Sequence, residues 1–259
     1  MKKTFKDDLG RSMTFTYPPR RIVSLVPSQT ELLFDLGLES EVVGITKFCI
    51  HPDRWYREKT RVGGTKNPDL LKIRELKPDL IICNKEENEI TSLNELAKEF
   101  PVWISDIKNL GDACRMISTV GEMTKRSAEA QKIISGIHGV FQNHLDHQGQ
   151  IRCAYLIWND PIMTINSDTF IHDMLARCGL KNIFGDLAGS RYPIISADEL
   201  KAADPELLLL SSEPFPFKEE HRSYFKQILP DCDIRLTDGE MMSWYGTRLL
   251  KFDPQKFQK

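Results

Sequence analysis

The chain has 259 residues, 41% apolar and 28% charged, with a net charge of −2; it is long enough for two lobes with separate cores and has the composition of a folded globular protein. A near-neutral chain without a long basic run lacks the concentrated cationic face that nucleic acid or an anionic membrane would need. No stretch approaches the ~20 apolar residues of a membrane-spanning helix, and Met1-Lys2-Lys3 is followed by Thr4-Phe5-Lys6-Asp7-Asp8 rather than an apolar core, so this sequence is expected to carry no signal peptide.

In chain order, residues 3–16 read as a β-hairpin with its turn at Asp8-Leu9-Gly10. Pro18-Pro19 breaks the chain before Arg21-Ile22-Val23-Ser24-Leu25-Val26, a short run rich in β-formers that suits a buried parallel strand. Pro27 ends that strand. Ser28 is then expected to cap a helix, with Glu31 as the other half of a capping box, and Gly37 to stop it. Strands follow at Val42-Val43-Gly44-Ile45, Leu80-Ile81-Ile82-Cys83 and Val102-Trp103-Ile104, alternating with helices over 69–76, 90–100 and 110–121. That alternation predicts a parallel sheet with helices on both faces.

Residues 124–147 are proline-free, with apolar residues at Ala130, Ile133, Ile134, Ile137, Val140, Phe141 and Leu145. The period is helical, and Thr124 is placed to cap the start. At 1.5 Å per residue such a helix spans roughly 36 Å, about the width of a small domain. Gly136 and Gly139 weaken it by about 1 kcal/mol each relative to alanine. A second α/β series follows: a strand over 153–158, helices over 169–178 and 197–203, and strands over 207–210 and 234–236. Leu76-Lys77-Pro78-Asp79-Leu80-Ile81-Ile82 in the first half is echoed by Ala203-Asp204-Pro205-Glu206-Leu207-Leu208-Leu209 in the second. The reading is α/β: an N-terminal lobe over 1–121, a backbone helix over 122–148 and a C-terminal lobe over 149–259, each lobe built on a mainly parallel sheet.

Catalytic patterns are absent: there is no GxSxG elbow, Walker loop, HExxH or GxGxxG, and Gly63-Gly64 is too short to cradle a phosphate. Cys49, Cys83, Cys114, Cys153, Cys178 and Cys232 form no CxxC pair, so structural zinc is not expected, and Cys83 and Cys153 fall in apolar runs where a thiol acts as a core hydrophobe. His144 and His147 lie three apart near the end of the long helix; solvated helix-end histidines are far commoner than a metal site there, and no resident metal or cofactor is expected.

Ligands of open α/β sheets bind beyond the carboxyl ends of strands. Ser28, Phe48 and His51 occupy such places in the first half, and Trp158 in the second. Arg191-Tyr192-Pro193 and Ser243-Trp244-Tyr245-Gly246-Thr247-Arg248 also fall in loops. Any one ring can simply fill a loop core. Four of them, with Arg191 and Arg248 nearby, suit a large, flat, partly anionic ligand.

Arg21-Ile22-Val23-Ser24-Leu25-Val26-Pro27-Ser28 with Thr30-Glu31-Leu32-Leu33, then Val62-Gly63-Gly64 and 76–82, resemble the substrate-binding proteins of ABC importers for cobalamin and ferric siderophores, the helical-backbone metal receptors. Pro161-Ile162-Met163-Thr164, Thr169-Phe170-Ile171 and Asn182-Ile183-Phe184 extend the resemblance over nearly the whole chain. It implies two α/β lobes bridged by one long helix, a corrinoid held in the cleft between them by Phe48, Trp158, Tyr192 and Trp244, and a monomer that works outside the cytoplasmic membrane with an ABC permease. Thr65 and Asn84 stand where cobalamin binders place tryptophans. For transporter docking the resemblance points to Asp198 and, because Leu71 occupies the other acidic position, to the neighbouring Asp69. A ferric siderophore or haem is the alternative cargo, with Arg191 and Arg248 pairing its oxygens. A cytoplasmic metallocofactor enzyme or chaperone on the same fold is the alternative from another class.

Overall fold

The structure, a computed structural model, describes residues 1–142 and 151–257. The chain divides into two compact units: Met1–Ile107, Gly111–Ile137 and Tyr245–Lys251 form the first, and Lys108–Leu110, His138–Trp244 and Phe252–Lys259 the second.

In the first unit β1 (Lys2–Lys6) and β2 (Ser12–Thr16) form an antiparallel hairpin. Asp7 Oδ1 accepts from the amides of Leu9 and Arg11, and Gly10 takes a φ of 80° to close the turn. Strand alternation buries Phe5, Met13 and Phe15. Next come β3 (Ile22–Ser24), α1 (Pro27–Asp35), β4 (Val42–Ile45), α2 (Asp53–Glu58), β5 (Thr60–Arg61), α3 (Leu70–Leu76), β6 (Leu80–Asn84), α4 (Ile90–Leu96), β7 (Val102–Ser105) and α5 (Leu110–Met123). The sheet is parallel throughout, in the order β5-β4-β3-β6-β7. Its central strands are covered on both faces, so they read as unbroken apolar runs; Val23, Ile81, Cys83 and Ile104 pack there with Ile73 and Leu93 from the helices.

Three local expectations need correction here. First, α1 begins at Pro27, with Val26 at its N-cap and no side-chain cap. Proline has no N–H to satisfy and its φ is preset for a first helical position, so it displaces Ser28 from the cap, and no Ser28–Glu31 capping box forms. Second, Thr124 caps nothing: its hydroxyl donates back to Val120 O at 2.7 Å, Lys125 takes a φ of 61°, and α6 starts at Ser127, running to Phe141. Third, α2 and β5 were not foreseen; α2 buries only Trp55, too little for a helical period to show.

Over its described length α6 buries Ala130, Ile133, Ile134, Ile137 and Phe141, as the spacing requires. A Cβ on Gly121 would lie 2.4 Å from the Ala130 Cβ, so glycine permits the close approach of α5 and α6. The helix belongs to the first unit up to Ile137 and to the second from His138. The rest of the helix expected to run to 147, with His144 and His147, lies outside the described residues.

The second unit contains β8 (Ile151–Leu156), α7 (Phe170–Arg177), β9 (Leu180–Asn182), α8 (Ala197–Ala202), β10 (Leu207–Ser211), α9 (Glu219–Ile228), β11 (Asp233–Thr237) and α10 (Gly239–Ser243). Its sheet is also all parallel, ordered β11-β10-β8-β9. Ala154, Leu156, Leu208, Leu210, Phe217 and Phe225 are central to its core. Thr169 caps α7, and Ser196 with Glu199 forms a capping box on α8. β9, α9 and α10 carry too few buried apolar residues to be foreseen. Trp158 lies beyond the strand assigned to it, bridged to Met163 instead. The segment 245–251, expected in the C-terminal lobe, packs instead in the first unit, where Gly246 sits so close to α1 that a Cβ would be 3.0 Å from Ser28 O. No described helix is long and apolar enough to cross a membrane.

Candidate functional site

Both sheets are parallel, so each unit gathers its strand-end loops at the carboxyl edge of its own sheet. In the first, the loop after β4 carries Phe48, which is 50% exposed. A Cβ on Gly64 would lie 3.3 Å from Phe48 Cε2, and the Lys47 ammonium lies 5.1 Å from the ring centroid, so glycine and lysine together fix the ring. Cys49 points the other way, its thiol 3.1 Å from the hydroxyls of Thr30 and Thr46, and burial pushes its pKa up. His51 is half-buried at the end of this loop.

The loops after β5 and β6 hold no rings. Asn84 donates to Ser105 O and Oγ, and its Oδ1 accepts from the amides of Glu86 and Glu87. Asn88 Oδ1 accepts from Asn84 N, while its amide donates to Leu25 O and Thr65 O, both at 3.0 Å. Thr65, Asn84 and Asn88 are all buried. They tie strand ends together by satisfying backbone groups that would otherwise be stranded.

Two residues expected to touch ligand are engaged within this unit. Ser28 is buried in the first turn of α1. Arg248 makes a two-point pair with Glu31, Nε to Oε2 at 3.1 Å and Nη2 to Oε1 at 3.3 Å, with both side chains about 10% exposed. Asp69 caps α3, accepting from Lys72 N at 3.1 Å, and Leu71 beside it is 71% exposed.

In the second unit, the strand-end loops bring aromatic rings together. Trp158 is 38% exposed and meets Phe215 edge-on at 5.6 Å; Phe215 in turn meets Phe217 at 4.8 Å and His221 at 5.1 Å. The Trp158 indole N–H donates to Asp160 O at 3.0 Å, and Met163 bridges both Trp158 and Ile194, so this loop is braced on either side. Tyr192 is half-buried next to Arg191. The Arg191 guanidinium is bound to Asp168 at 2.8 Å, and Asp168 also binds Lys108 at 2.7 Å; the two cations hold that carboxyl below its ordinary pKa. Asp198 is exposed in the first turn of α8.

Trp244 departs from the expectation of an open ring face. It is 7% exposed, and its indole N–H donates to Glu213 Oε1 at 3.0 Å. Glu213, Phe215 and Asp168 were missed. The signal available for the first two was Ser211-Ser212-Glu213-Pro214-Phe215, a polar and aromatic turn directly after a buried strand.

Among the described residues no group of three or more His, Cys, Asp or Glu is placed to hold a metal ion. The six cysteines are free thiols. Burial pushes Cys178 up to about 12 and Cys232 up to about 11, and raises Cys83 and Cys153 further, which leaves these thiols unreactive near neutral pH.

Comparison with known proteins matches residues 22–229 to the family described as "Periplasmic binding protein". The "Vitamin B12-binding protein" of Vibrio cholerae serotype O1 (strain ATCC 39541 / Classical Ogawa 395 / O395) is 28% identical over 204 residues, covering 75% of this chain and 71% of the relative. Among solved structures, the periplasmic vitamin B12 binding protein BtuF of Vibrio cholerae superposes with a TM-score of 0.72 at 22% identity, over 90% of this chain and 93% of that one. A periplasmic heme binding protein from Pseudomonas aeruginosa superposes with a TM-score of 0.76 at 19% identity, over 90% and 89%. At these identities the two structures speak for the fold.

Proposed function

Because the chain belongs to the periplasmic binding protein family, we propose that it is a binding protein and not an enzyme, that its cargo is a corrinoid or a similar flat metal chelate, and that it delivers this cargo to the permease of an ABC importer. It works as a monomer outside the cytoplasmic membrane and holds no metal or cofactor of its own. The observation that carries this reading is Trp158, a ring left 38% exposed off the strand ends of a parallel sheet and held edge-on by Phe215. An exposed indole braced in one orientation suits a flat macrocycle, because burying a ring face against another costs little ordering entropy. Phe48, held by Gly64 and Lys47, is likewise an exposed ring off the strand ends of the first unit. The vitamin B12-binding relative supports the choice of a corrinoid.

Asp69 and Asp198 are the proposed contacts to basic residues of the permease, with Leu71 adding an exposed apolar contact beside the first. A carboxylate-bearing chelate such as haem or a ferric siderophore is the second reading. The observation favouring it is the Lys108–Asp168–Arg191 bridge, in which two cations already hold one carboxylate.

Titration of the purified protein with hydroxocobalamin, haemin and a ferric hydroxamate, followed by tryptophan quenching and by calorimetry, tests the proposal. The expected result is saturable 1:1 binding of the corrinoid with Kd of about 1 μM or tighter, equivalent to about 8 kcal/mol. Absence of saturable binding by all three ligands would overturn it.

A further inference from the structure

Glu213 is the charged side chain most deliberately placed among the strand-end residues of the second unit. β10 ends at Ser211, whose hydroxyl accepts from the Tyr155 phenol at 3.0 Å and donates to Glu213 O at 2.6 Å. That pins the turn which follows. Ser243 Oγ donates to Glu213 Oε1 at 2.7 Å, and the Trp244 indole donates to the same oxygen at 3.0 Å. Gly239 leaves the room: a Cβ there would lie 2.4 Å from Ser211 Oγ and 2.6 Å from Glu213 Cγ. Oε1 is therefore saturated from the end of α10, while Oε2 has no hydrogen-bond partner among the described residues.

The turn that carries Glu213 leaves the sheet next to the loop that carries Trp158. β8 and β10 are adjacent parallel strands with Leu156 opposite Leu210, so the loops carrying Trp158 and Glu213 leave the same edge of the sheet. Phe215, two residues after Glu213, donates its amide to Ile157 O at 3.3 Å and packs its ring on Trp158. Burial, and then the charges of Glu240 and Asp238, raise the pKa of Glu213, the marks of a carboxylate partly stripped of water. In such a place an N–H donor is bound strongly and a second carboxylate is repelled strongly.

Building on the corrinoid reading above, we infer that Glu213 sets the chemical class of the cargo: its open oxygen selects a chelate rimmed with carboxamides, whose N–H groups it can accept, over one rimmed with carboxylates. A corrinoid carries the first kind of rim and haem the second. The selection is a property of this chain's Glu213 and needs no change in the rings that bind the macrocycle face, because rim and face are contacted by different residues.

The test compares hydroxocobalamin and haemin on wild-type protein, Glu213→Gln and Glu213→Asp, all at pH 7.5. Glutamine keeps an oxygen for Ser243 and Trp244 and puts an N–H2 in place of Oε2. Its preference for hydroxocobalamin over haemin should fall by about tenfold, the size expected when a charged acceptor is exchanged for a neutral donor. Aspartate keeps the charge and should retain most of the preference. Near-ultraviolet circular dichroism of the tryptophans establishes that each variant is folded. A ratio unchanged in Glu213→Gln, or lost equally in Glu213→Asp, would overturn the inference while leaving the binding reading intact. Wild-type protein that binds neither ligand would overturn both.

Discussion

Beyond the strand ends of the first unit, side chains are bound to one another; beyond those of the second, they are stacked and partly open. In the first, Asn84 and Asn88 are buried and spend their hydrogen bonds on neighbouring backbone, and Arg248 closes on Glu31. Phe48 is the exposed ring there. In the second, Trp158, Phe215, Phe217 and His221 form a continuous set of edge-to-face contacts with Trp158 at its open end. The same position in the same kind of sheet thus serves two purposes. Polar groups with every partner inside the protein fix a surface and offer little to a ligand, whereas braced rings offer area at low entropic cost.

The largest expected effect tests the first half of that contrast. Arg248→Ala leaves the Glu31 carboxylate buried without its two-point partner, with the Lys251 ammonium no nearer than 4.0 Å. Removing one member of a buried pair costs about 3 kcal/mol. The unfolding midpoint should drop accordingly, and Glu31→Gln combined with Arg248→Met should recover most of it, because neither charge is then stranded. If Arg248→Ala instead left the midpoint within about 0.5 kcal/mol of wild type and weakened ligand binding, the pair would be a loose surface contact and Arg248 a ligand residue after all.

The next effect falls on binding. Trp158→Ala should weaken hydroxocobalamin binding by about 2 kcal/mol, roughly thirtyfold in Kd, with little change in the midpoint, because the ring is already partly exposed. Phe48→Ala should cost only about 1 kcal/mol, since it removes a single smaller ring with no aromatic chain behind it. Calorimetric titration of both variants decides the matter. Equal losses would mean that the aromatic set behind Trp158 gives it no advantage over Phe48, and the contrast between a polar and an aromatic face would fail.

Much of the frame was legible in the sequence because it follows from local rules. Unbroken apolar runs such as Leu80-Ile81-Ile82 and Leu207-Leu208-Leu209, short and bounded by proline, suit central parallel strands, and the proline after each preceding helix marks its end. Phe48 follows the run Val42-Val43-Gly44-Ile45 closely enough to be placed on a strand-end loop, whereas Trp158, expected at the end of its strand, lies two residues beyond it. What escaped is what distance along the chain conceals. Glu31 and Arg248 are 217 positions apart, and nothing periodic joins them. Arg191 looked available to a ligand until Asp168 was found beside it, and Trp244 looked like a ring face until Glu213 held its N–H. Ser28 failed for a local reason: proline outcompetes serine for the start of α1.

The smallest effect concerns the end of β9 and its contact with α7, and it sharpens the comparison by asking whether the second unit contains a polar brace of its own. Asn182 Oδ1 accepts from Phe184 N at 3.1 Å, which orients the amide so that its nitrogen donates to Ile165 O at 3.0 Å and faces His172 Nδ1 at 3.3 Å. Nδ1 must then be the acceptor, so the proton of the neutral ring sits on Nε2. Protonating His172 would set two donors against each other. Burial lowers its pKa below the ordinary 6.5, against the weaker pull of Asp173 and Asp186, and its place in the first turn of α7 further disfavours a cation. Between the lowered folded value and 6.5 the unfolded chain binds more protons than the folded one, so stability must rise as pH rises through that window and level off above it. His172→Gln, which cannot titrate, should flatten that part of the curve of unfolding midpoint against pH. A slope below pH 6.5 that persists unchanged in the variant would assign it to other groups and remove His172 from the brace.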